Sequence, residues 1–340
     1  MHIGKGYSFK EAILWTRRDI VILLIIASIP TILYQLFHWP WLTLPWLPIA
    51  LLGTAVAFVI GFKNNASYDR LWEARRIWGS ITNISRSWAV MAKDYVTNQH
   101  AKTTLSEEEL KAVHWDLYKR HLAWLTALRY QLRETKNWEA INLSHNKEYR
   151  NKFFRVEEQD HVLADAIKPY LSDEEYTAVM AKSNKAAQIL ALQSSHLKNL
   201  LAQGLIEDFR HMELEKLLVE LYNQQGASER IKNFPYPRQY ASLNMWFIKI
   251  FVALIPFGMI PEFAKLGKDF VWMAIPFSVL SGWIFTTLER IGESSENPFE
   301  GSANDVPITT ISRNIEIDML EILGIPHQLK PVAVQNNILT

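Results

Sequence analysis

Four stretches of this chain carry almost no charge, and their lengths strongly constrain the fold. They cover residues 20–37, 43–62, 241–261 and 270–288, and Lys249 is the one formal charge among them. Each stretch approaches the roughly 20 apolar residues that are needed to cross about 30 Å of hydrocarbon. Buried helices of a large soluble protein would be unusual with windows this long and this free of charge. We therefore predict four membrane-spanning helices.

Positive charges flank the first two spans on one side only. The link between these spans, residues 38–42, has no formal charge, whereas basic residues lie before the first span and after the second: Lys5, Lys10, Arg17, Arg18, Lys63, Arg70, Arg75 and Arg76. By the positive-inside rule, both ends of this hairpin are expected in the cytoplasm. An even number of spans then places both termini and residues 63–240 on the cytoplasmic side.

The spans divide the chain into four parts, and the fold class predicted from them is an all-α integral membrane protein. These parts are an N-terminal segment with the first two spans (1–62, the second span being 43–62), a large helical cytoplasmic region (63–240), the last two spans (241–290) and a C-terminal segment and tail (291–340). Within the cytoplasmic region, residues 136–155 are polar and irregular, so we predict a surface insertion there.

Local signals predict several helices of the cytoplasmic region. Ser106 with Glu109, and Ser172 with Glu175, have the spacing of capping boxes, in which each side chain caps the other's backbone N–H. Apolar residues recur at helical spacing from Ser195 onwards. We predict one long helix there that ends at Gly226, a glycine of the kind that commonly follows a helix C-terminus.

Composition excludes several functional classes. The chain has no cysteine, so disulfides, thiolate catalysis and cysteine-based zinc sites are excluded. A net charge of +1 argues against general nucleic-acid binding. No phosphate-cradling glycine loop or nucleophile elbow occurs. We predict no enzyme activity, no catalytic residue, no bound metal and no cofactor.

The second predicted span has two stripes of unusual composition. Thr54, Phe58 and Phe62 are four residues apart and form one stripe, and the small residues Gly53, Ala57 and Gly61 form another beside it. Small residues allow close helix contact in membranes. Phenyl rings repeated around a symmetry axis would form an apolar constriction that gates by dewetting. This pattern favours a pore-lining helix in an oligomer.

Two segments resemble the bestrophin channel family. Residues 61–75, GFKNNASYDRLWEAR, resemble the segment after the pore neck of its bacterial members. Glu296-Asn297-Pro298-Phe299, followed by Asn304-Asp305 and Arg313-Asn314, resembles the family's signature after the last span. The order of elements also agrees over nearly the whole chain.

The resemblance implies a homopentameric ion channel, expected in a bacterial inner membrane and in contact with lipid. The positions that match the family's hydrophobic neck are Thr54, Phe58 and Phe62. Family members narrow again at the cytoplasmic exit, and counting back from Gly226 places that constriction at Phe209, with Leu205 as the alternative.

The resemblance also bears on calcium. Animal bestrophins hold calcium in a clasp of carbonyls and acidic side chains after the Asn-Pro-Phe motif. The matching positions here are Ser294, Asn297, Ser302 and Asp305, with Glu300 out of place in the acidic run. Calcium prefers six to eight oxygen ligands, several of them carboxylates. We therefore expect an empty clasp and a channel that calcium does not activate.

Selectivity is open at this point between chloride and small cations. Animal relatives conduct chloride, and ring edges like those of Phe58 and Phe62 offer positive potential to an anion. The candidate polar residues of the ion path are Asn64, Asn65, Asp69 and Glu73, and the two carboxylates would favour cations if they face the path. Two other classes remain: a membrane-anchored helical scaffold without conduction and, with less support, a carrier.

Overall fold

The computed structural model describes all 340 residues, which form helices and isolated β-bridges but no sheet. Twelve α-helices follow one another along the chain: α1 (Phe9–Phe37), α2 (Trp46–Tyr95), α3 (Glu107–Arg133), α4 (Ser144–Phe153), α5 (Glu157–Asp160), α6 (Leu163–Ile167), α7 (Asp173–Met180), α8 (Lys185–Gln203), α9 (Asp208–Asn233), α10 (Arg238–Ala264), α11 (Ala274–Ser295) and α12 (Ile308–Leu323). Short 3-10 turns join some of them. The predicted all-α class is confirmed.

The four predicted spans are four helices long and apolar enough to cross a membrane. They are α1, the first part of α2, α10, and α11 with the 3-10 turn Lys268–Met273 before it. Helix α1 begins earlier than its apolar window because Ser8 and Glu11 form a capping box ahead of it. It ends at His38, whose backbone is left-handed.

Helix α2 is one continuous helix of 50 residues, which corresponds to a length of about 75 Å. Less than half of that length is needed to cross the hydrocarbon. The predicted boundary between residues 62 and 63 therefore lies inside a helix, and the second span is rigidly joined to the extramembrane region. Pro45 caps the helix and Pro48 lies in its first turn, where a missing N–H costs nothing.

Three glycines bring the spans together. A Cβ atom on Gly53 of α2 would lie 2.7 Å from the ring of Phe251. Added at Gly258 it would meet Ile49, and at Gly282 it would meet Leu23. Of the small-residue stripe predicted on α2, only Gly53 has this role within the subunit, because Ala57 is exposed and Gly61 has no close neighbour.

Both capping boxes in the extramembrane region are confirmed. The Ser106 and Glu109 pair opens α3, and the Ser172 and Glu175 pair opens the short α7. The predicted single helix from Ser195 to Gly226 is wrong. Two helices, α8 and α9, meet at Gly204, and Gly226 lies inside α9.

Gly204 explains this break. Its φ of +77° is left-handed, and a Cβ there would collide with the carbonyl oxygen of His100. The chain turns at this point, and Leu205 then packs into the core between α2, α3, α8, α9 and α12.

The predicted surface insertion at residues 136–155 is only partly surface. Ala140 and Ile141 are buried, and Glu139 forms a buried ion pair with Lys232 of α9. The rest forms α4, which has no buried residue of its own. Helix α4 lies against the start of α1, where Arg17 bonds to Glu148 at 2.9 Å.

Candidate functional site

One side of α2 is exposed along most of its length. With 3.6 residues per turn, one face carries a run of exposed or half-buried side chains: Leu47, Leu51, Thr54, Phe58, Phe62, Asn65, Asp69, Trp72 and Arg76. We call this run the α2 stripe. It passes from apolar residues within the span to polar and charged residues beyond it.

The three predicted neck residues lie together on this stripe. Phe58 is 68% exposed and Phe62 is 62% exposed. Their ring centroids are 4.7 Å apart and the rings are nearly perpendicular, which is the edge-to-face arrangement that aromatic pairs prefer. The structure therefore presents two rings, one helical turn apart, to whatever lies beside this face.

The hydroxyl of Thr54 is already engaged. It donates to the carbonyl oxygen of Ala50, one turn earlier, at 3.0 Å. The hydroxyl proton is thus used in a hydrogen bond within the helix and is not available to an anion. Thr54 can offer only its methyl group and the lone pairs of its oxygen.

The opposite side of α2 is buried against the other helices of the subunit. Val56 and Ile60 pack with Ile248, Phe251 and Ile255 of α10. This burial fixes the rotation of α2 about its own axis, and so determines which residues form the stripe.

Directly after the predicted neck residues, buried polar contacts hold α2 to α10 and α11. Lys63 is 4% exposed and forms an ion pair with Glu289 of α11. The other oxygen of Glu289 accepts from Asn244 of α10 at 3.2 Å. We call these three residues the neck anchor. Lys63 had signalled the end of a span in the sequence, and nothing local indicates that its partner is 226 residues away.

The predicted polar residues of the ion path separate into two groups. Asn65 and Asp69 are exposed on the stripe. Asn64 instead donates to the carbonyl of Leu288 at 3.1 Å and packs against Gly292 of α11, so it supports the helix contact. Glu73 pairs with Arg230 of α9 rather than with the nearby arginines of α2.

The two candidates for a second constriction differ in exposure. Phe209, in the first turn of α9, is 84% exposed, whereas Leu205 is 2% exposed within the extramembrane core. Leu205 therefore presents no side chain to a pathway, and of the two only Phe209 is positioned to do so. The count back from Gly226 has lost its physical basis, because Gly226 does not end a helix.

The residues matched to the calcium clasp are brought together between α11 and α12. The hydroxyl of Ser302 donates to Asp305 at 2.5 Å and lies 3.5 Å from the carbonyl of Ser294. The carbonyl of Asn297 accepts from the backbone N–H of Glu300 at 3.3 Å. These groups thus satisfy one another within the loop.

A positive side chain faces this loop from α3. Arg133 lies 3.4 Å from the carboxylate of Asp305, and both side chains are buried. Burial raises the pKa of Asp305, although Arg133 opposes the change. Burial raises the pKa of Glu300 well above its usual range, and Asp305 and Glu139 raise it further. No group of three or more His, Asp or Glu side chains is arranged to hold a metal ion.

Together, these features define a class of protein: a helical integral membrane protein in which one helix carries an exposed aromatic stripe out of the span and is anchored by buried polar contacts. The profile of the bacterial/fungal bestrophin family matches residues 10–321. The chain belongs to this family.

Named relatives agree over most of the chain. A voltage-dependent anion channel-forming protein of Ralstonia nicotianae is 28% identical over 292 residues, which cover 85% of this chain and 81% of that protein. The voltage-dependent anion channel-forming protein YneE of Escherichia coli is 28% identical over 274 residues, covering 81% of this chain and 75% of that protein.

A solved structure has the same fold. The crystal structure of a bacterial bestrophin homologue from Klebsiella pneumoniae matches with a TM-score of 0.75 and 23% identity. The match covers 92% of this chain and 99% of that one.

Proposed function

We propose that this protein is a passive anion channel, formed by five copies around an axis that the α2 stripes line. The observation that carries the proposal is the exposure of Phe58 and Phe62 on a helix whose opposite face is packed inside its own subunit. The names of the relatives, which describe anion channel-forming proteins, support the same function.

In this arrangement, the rings of Phe58 and Phe62 form the neck. Five copies of this edge-to-face pair of rings enclose an apolar passage, which conducts when it is wetted and closes when it loses water. Phe209, which is 84% exposed, contributes a second ring of side chains beyond the span. No chemical step is involved, because ions move down their gradient.

Anion selectivity is proposed to arise from the ring edges. The edge of a phenyl ring carries positive potential, and the engaged hydroxyl of Thr54 adds no free donor. Asp69 opposes anions and Arg76 favours them where the stripe leaves the membrane, so these charges partly offset each other.

The experiment that tests this function is a reversal-potential measurement. The purified protein should be studied in a planar bilayer with a higher concentration of potassium chloride on one side than on the other. The reversal potential should then lie close to the equilibrium potential of chloride. A reversal potential close to that of potassium would reject anion selectivity. Complete lack of conductance would favour the scaffold instead.

We further propose that calcium does not activate the channel. Asp305, the principal acidic residue in the clasp loop, is paired with Arg133, and a divalent cation would have to displace this buried guanidinium. Open probability in 1 mM EGTA should therefore equal that in about 10 μM free calcium, a range that spans typical sensor affinities. A steep rise with calcium would contradict this.

The proposed orientation places α3 to α9 and both termini in the cytoplasm of a bacterial inner membrane. The flanking basic residues support this arrangement. Protease added to sealed, right-side-out spheroplasts should leave the chain uncut outside the links 38–45 and 265–273.

A further inference from the structure

A cavity of about 230 Å³ lies where α4 meets the start of α1. Its lining combines basic and aromatic side chains, among them Trp15, Arg17, Arg18, His145, Tyr149 and Lys152. None of these residues belongs to the α2 stripe or the neck anchor. The role of α4 is also not explained by the proposed pore, since this helix buries no residue in the core.

The position of the cavity relative to the membrane is set by α1. The apolar window of this helix begins at Ile20, two residues after Arg18. At 1.5 Å per residue, the two arginines lie only about 3–5 Å along the helix from the edge of the hydrocarbon. Phosphate groups of lipids lie at this depth, and tryptophan and tyrosine are enriched there.

The charges that face the cavity sum to a positive value. Arg17, Arg18 and Lys152 are opposed by Glu11 and Glu148. Glu11 is committed to capping α1, since it accepts from the backbone and the hydroxyl of Ser8.

One carboxylate is shared between the two arginines. Arg17 lies 2.9 Å and Arg18 3.3 Å from the oxygens of Glu148, and all three side chains are about half exposed. The remaining N–H groups of these two guanidinium groups are free to meet another anion, because Arg18 uses one more of them on Ser144 and Arg17 uses none. Lys152 forms no ion pair but lies over the ring of Phe153.

The histidine of the lining is uncharged at neutral pH. Burial, with smaller contributions from the positive charges of Arg290 and Arg18, lowers the pKa of His145 to about 4. The ring therefore offers one N–H donor without adding a positive charge, and it contacts Trp15 edge-on at 6.3 Å between centroids.

We propose that this cavity binds the phosphate of an anionic phospholipid headgroup, with Arg17, Arg18 and Lys152 as its ligands and Trp15 and Tyr149 beside the glycerol backbone. Basic pockets at the membrane surface recognise lipid phosphates through such charges. The depth of the arginines selects a lipid over a free phosphate ion, because the acyl chains extend into hydrocarbon that begins beside α1. Glu148 holds the arginines in place when no ligand is bound, and competes with the ligand.

Lipid binding to the full-length protein in detergent tests this site. Native mass spectrometry would measure the affinities for dioctanoyl phosphatidylglycerol and for zwitterionic dioctanoyl phosphatidylcholine, and inorganic phosphate would be added as a competitor. Tighter binding of phosphatidylglycerol, with little competition by millimolar phosphate, supports the proposal. Equal binding of the two lipids, or phosphate binding as tight as that of phosphatidylglycerol, overturns it.

Three variants make the test specific. Arg17→Gln and Lys152→Gln should each weaken phosphatidylglycerol binding about fivefold, as expected for one basic charge at the surface. Glu148→Gln should instead tighten binding, because it removes the competing carboxylate. The matched control is Lys147→Gln, at an exposed lysine of α4 outside the lining. Its affinity for phosphatidylglycerol should change by less than about twofold.

These opposite signs separate a ligand site from a helix contact. If α4 only needs to be held against α1, Arg17→Gln and Glu148→Gln break the same ion pair and weaken lipid binding alike. That result, or unchanged affinity in both Arg17→Gln and Lys152→Gln, rejects the proposal. If the unaltered protein does not conduct, the proposed channel function fails. The lipid-binding test does not depend on conductance and keeps its meaning.

Discussion

At the scale of single residues, the account depends on the side chains that the chain leaves exposed in an apolar helix. Phe58 and Phe62 have the size and the edge-to-face contact of packed rings, yet no other part of the subunit covers them. Thr54 completes the stripe, but its hydroxyl is bonded to its own helix. We therefore expect the two rings, rather than the hydroxyl of Thr54, to determine the passage of ions through the neck.

Replacement of the rings should widen the neck. Phe58→Ala or Phe62→Ala should raise single-channel conductance or remove gating, because each change takes five rings out of the neck of the proposed pentamer. Single-channel recording in planar bilayers measures this effect. Thr54→Val keeps the size of the side chain and loses a hydroxyl that is already bonded to Ala50, so its conductance should stay close to that of the unaltered protein.

The control for this series is Phe270→Ala. Phe270 is also exposed, but it belongs to the link between α10 and α11. Conductance that rises as much in this variant as in Phe58→Ala would contradict a neck formed by α2.

Glu300 predicts a pH dependence of stability. Its pKa is raised in the folded protein above the ordinary value of 4.5. At this group the folded state then binds more protons than the unfolded state, so the contribution of Glu300 to stability is fully present below pH 4.5 and is lost as pH rises through the folded-state pKa. Glu300→Gln stays neutral and should have the higher melting temperature at pH 8, by about 1–2 °C for each kcal/mol in a chain of 340 residues.

Melting curves in detergent between pH 5 and pH 9 check this prediction. The difference between the variant and the unaltered protein should shrink as pH falls. Glu174→Gln, at an exposed carboxylate of α7, should give no such trend. A lower melting temperature for Glu300→Gln at every pH would contradict the buried-charge explanation.

At the scale of helices, α2 joins the membrane part to the extramembrane core. Its apolar face packs on α10, its neck anchor binds α11 and α10, and Arg70 then donates to the carbonyls of Ile231 and Glu296. These contacts join α9, α10, α11 and the residue that follows α11 directly to the helix that carries the rings.

Loss of one partner of the neck anchor should be costly. Lys63→Met leaves the carboxylate of Glu289 buried without its cation, a change that costs about 3–5 kcal/mol in comparable buried pairs. Lys63→Met combined with Glu289→Met should recover much of the loss, because both buried charges are gone. Thermal melting of the four combinations measures this coupling.

An exposed ion pair between α2 and α9 provides the comparison. Arg230→Gln breaks the pair with Glu73, whose side chain is about half exposed, and should cost below about 1 kcal/mol. Equal losses of melting temperature in Lys63→Met and Arg230→Gln would show that the neck anchor adds no more stability than a surface pair.

The helices also show what sequence could and could not predict. The apolar helices at the predicted spans and the capping boxes at Ser106 and Ser172 follow from patterns within a few turns, and the structure has both. The end of a helix at Gly204 instead depends on the distant carbonyl of His100, so Gly226 was an equally good candidate by local criteria. The same applies to Lys63, whose burial requires Glu289.

The candidate site divides in the same way. Spacing alone placed Thr54, Phe58 and Phe62 on one face, because helical periodicity requires it. The separation of Asn64 from Asn65, and of Leu205 from Phe209, depends on which neighbours each side chain meets in three dimensions. The proposed lipid site lies between α1 and α4. Helix α4 belongs to the segment 136–155, which is polar and irregular in sequence, so the site could not be predicted from sequence.

At the scale of the whole molecule, the subunit has the fold of a bacterial bestrophin homologue and one long exposed face on its central helix. In the proposed assembly, several copies of the chain cover this face. The side chains of Phe58 and Phe62 then surround the axis and leave a passage rather than a packed core. The lipid site at α1 lies on a different helix and is compatible with the same assembly.

A structure of the purified particle by electron cryo-microscopy tests this claim most directly. Five copies should surround one axis, with the side chains of Phe58 and Phe62 pointing towards it and forming its narrowest point. A single subunit, or an assembly in which these two rings face lipid, would contradict the account.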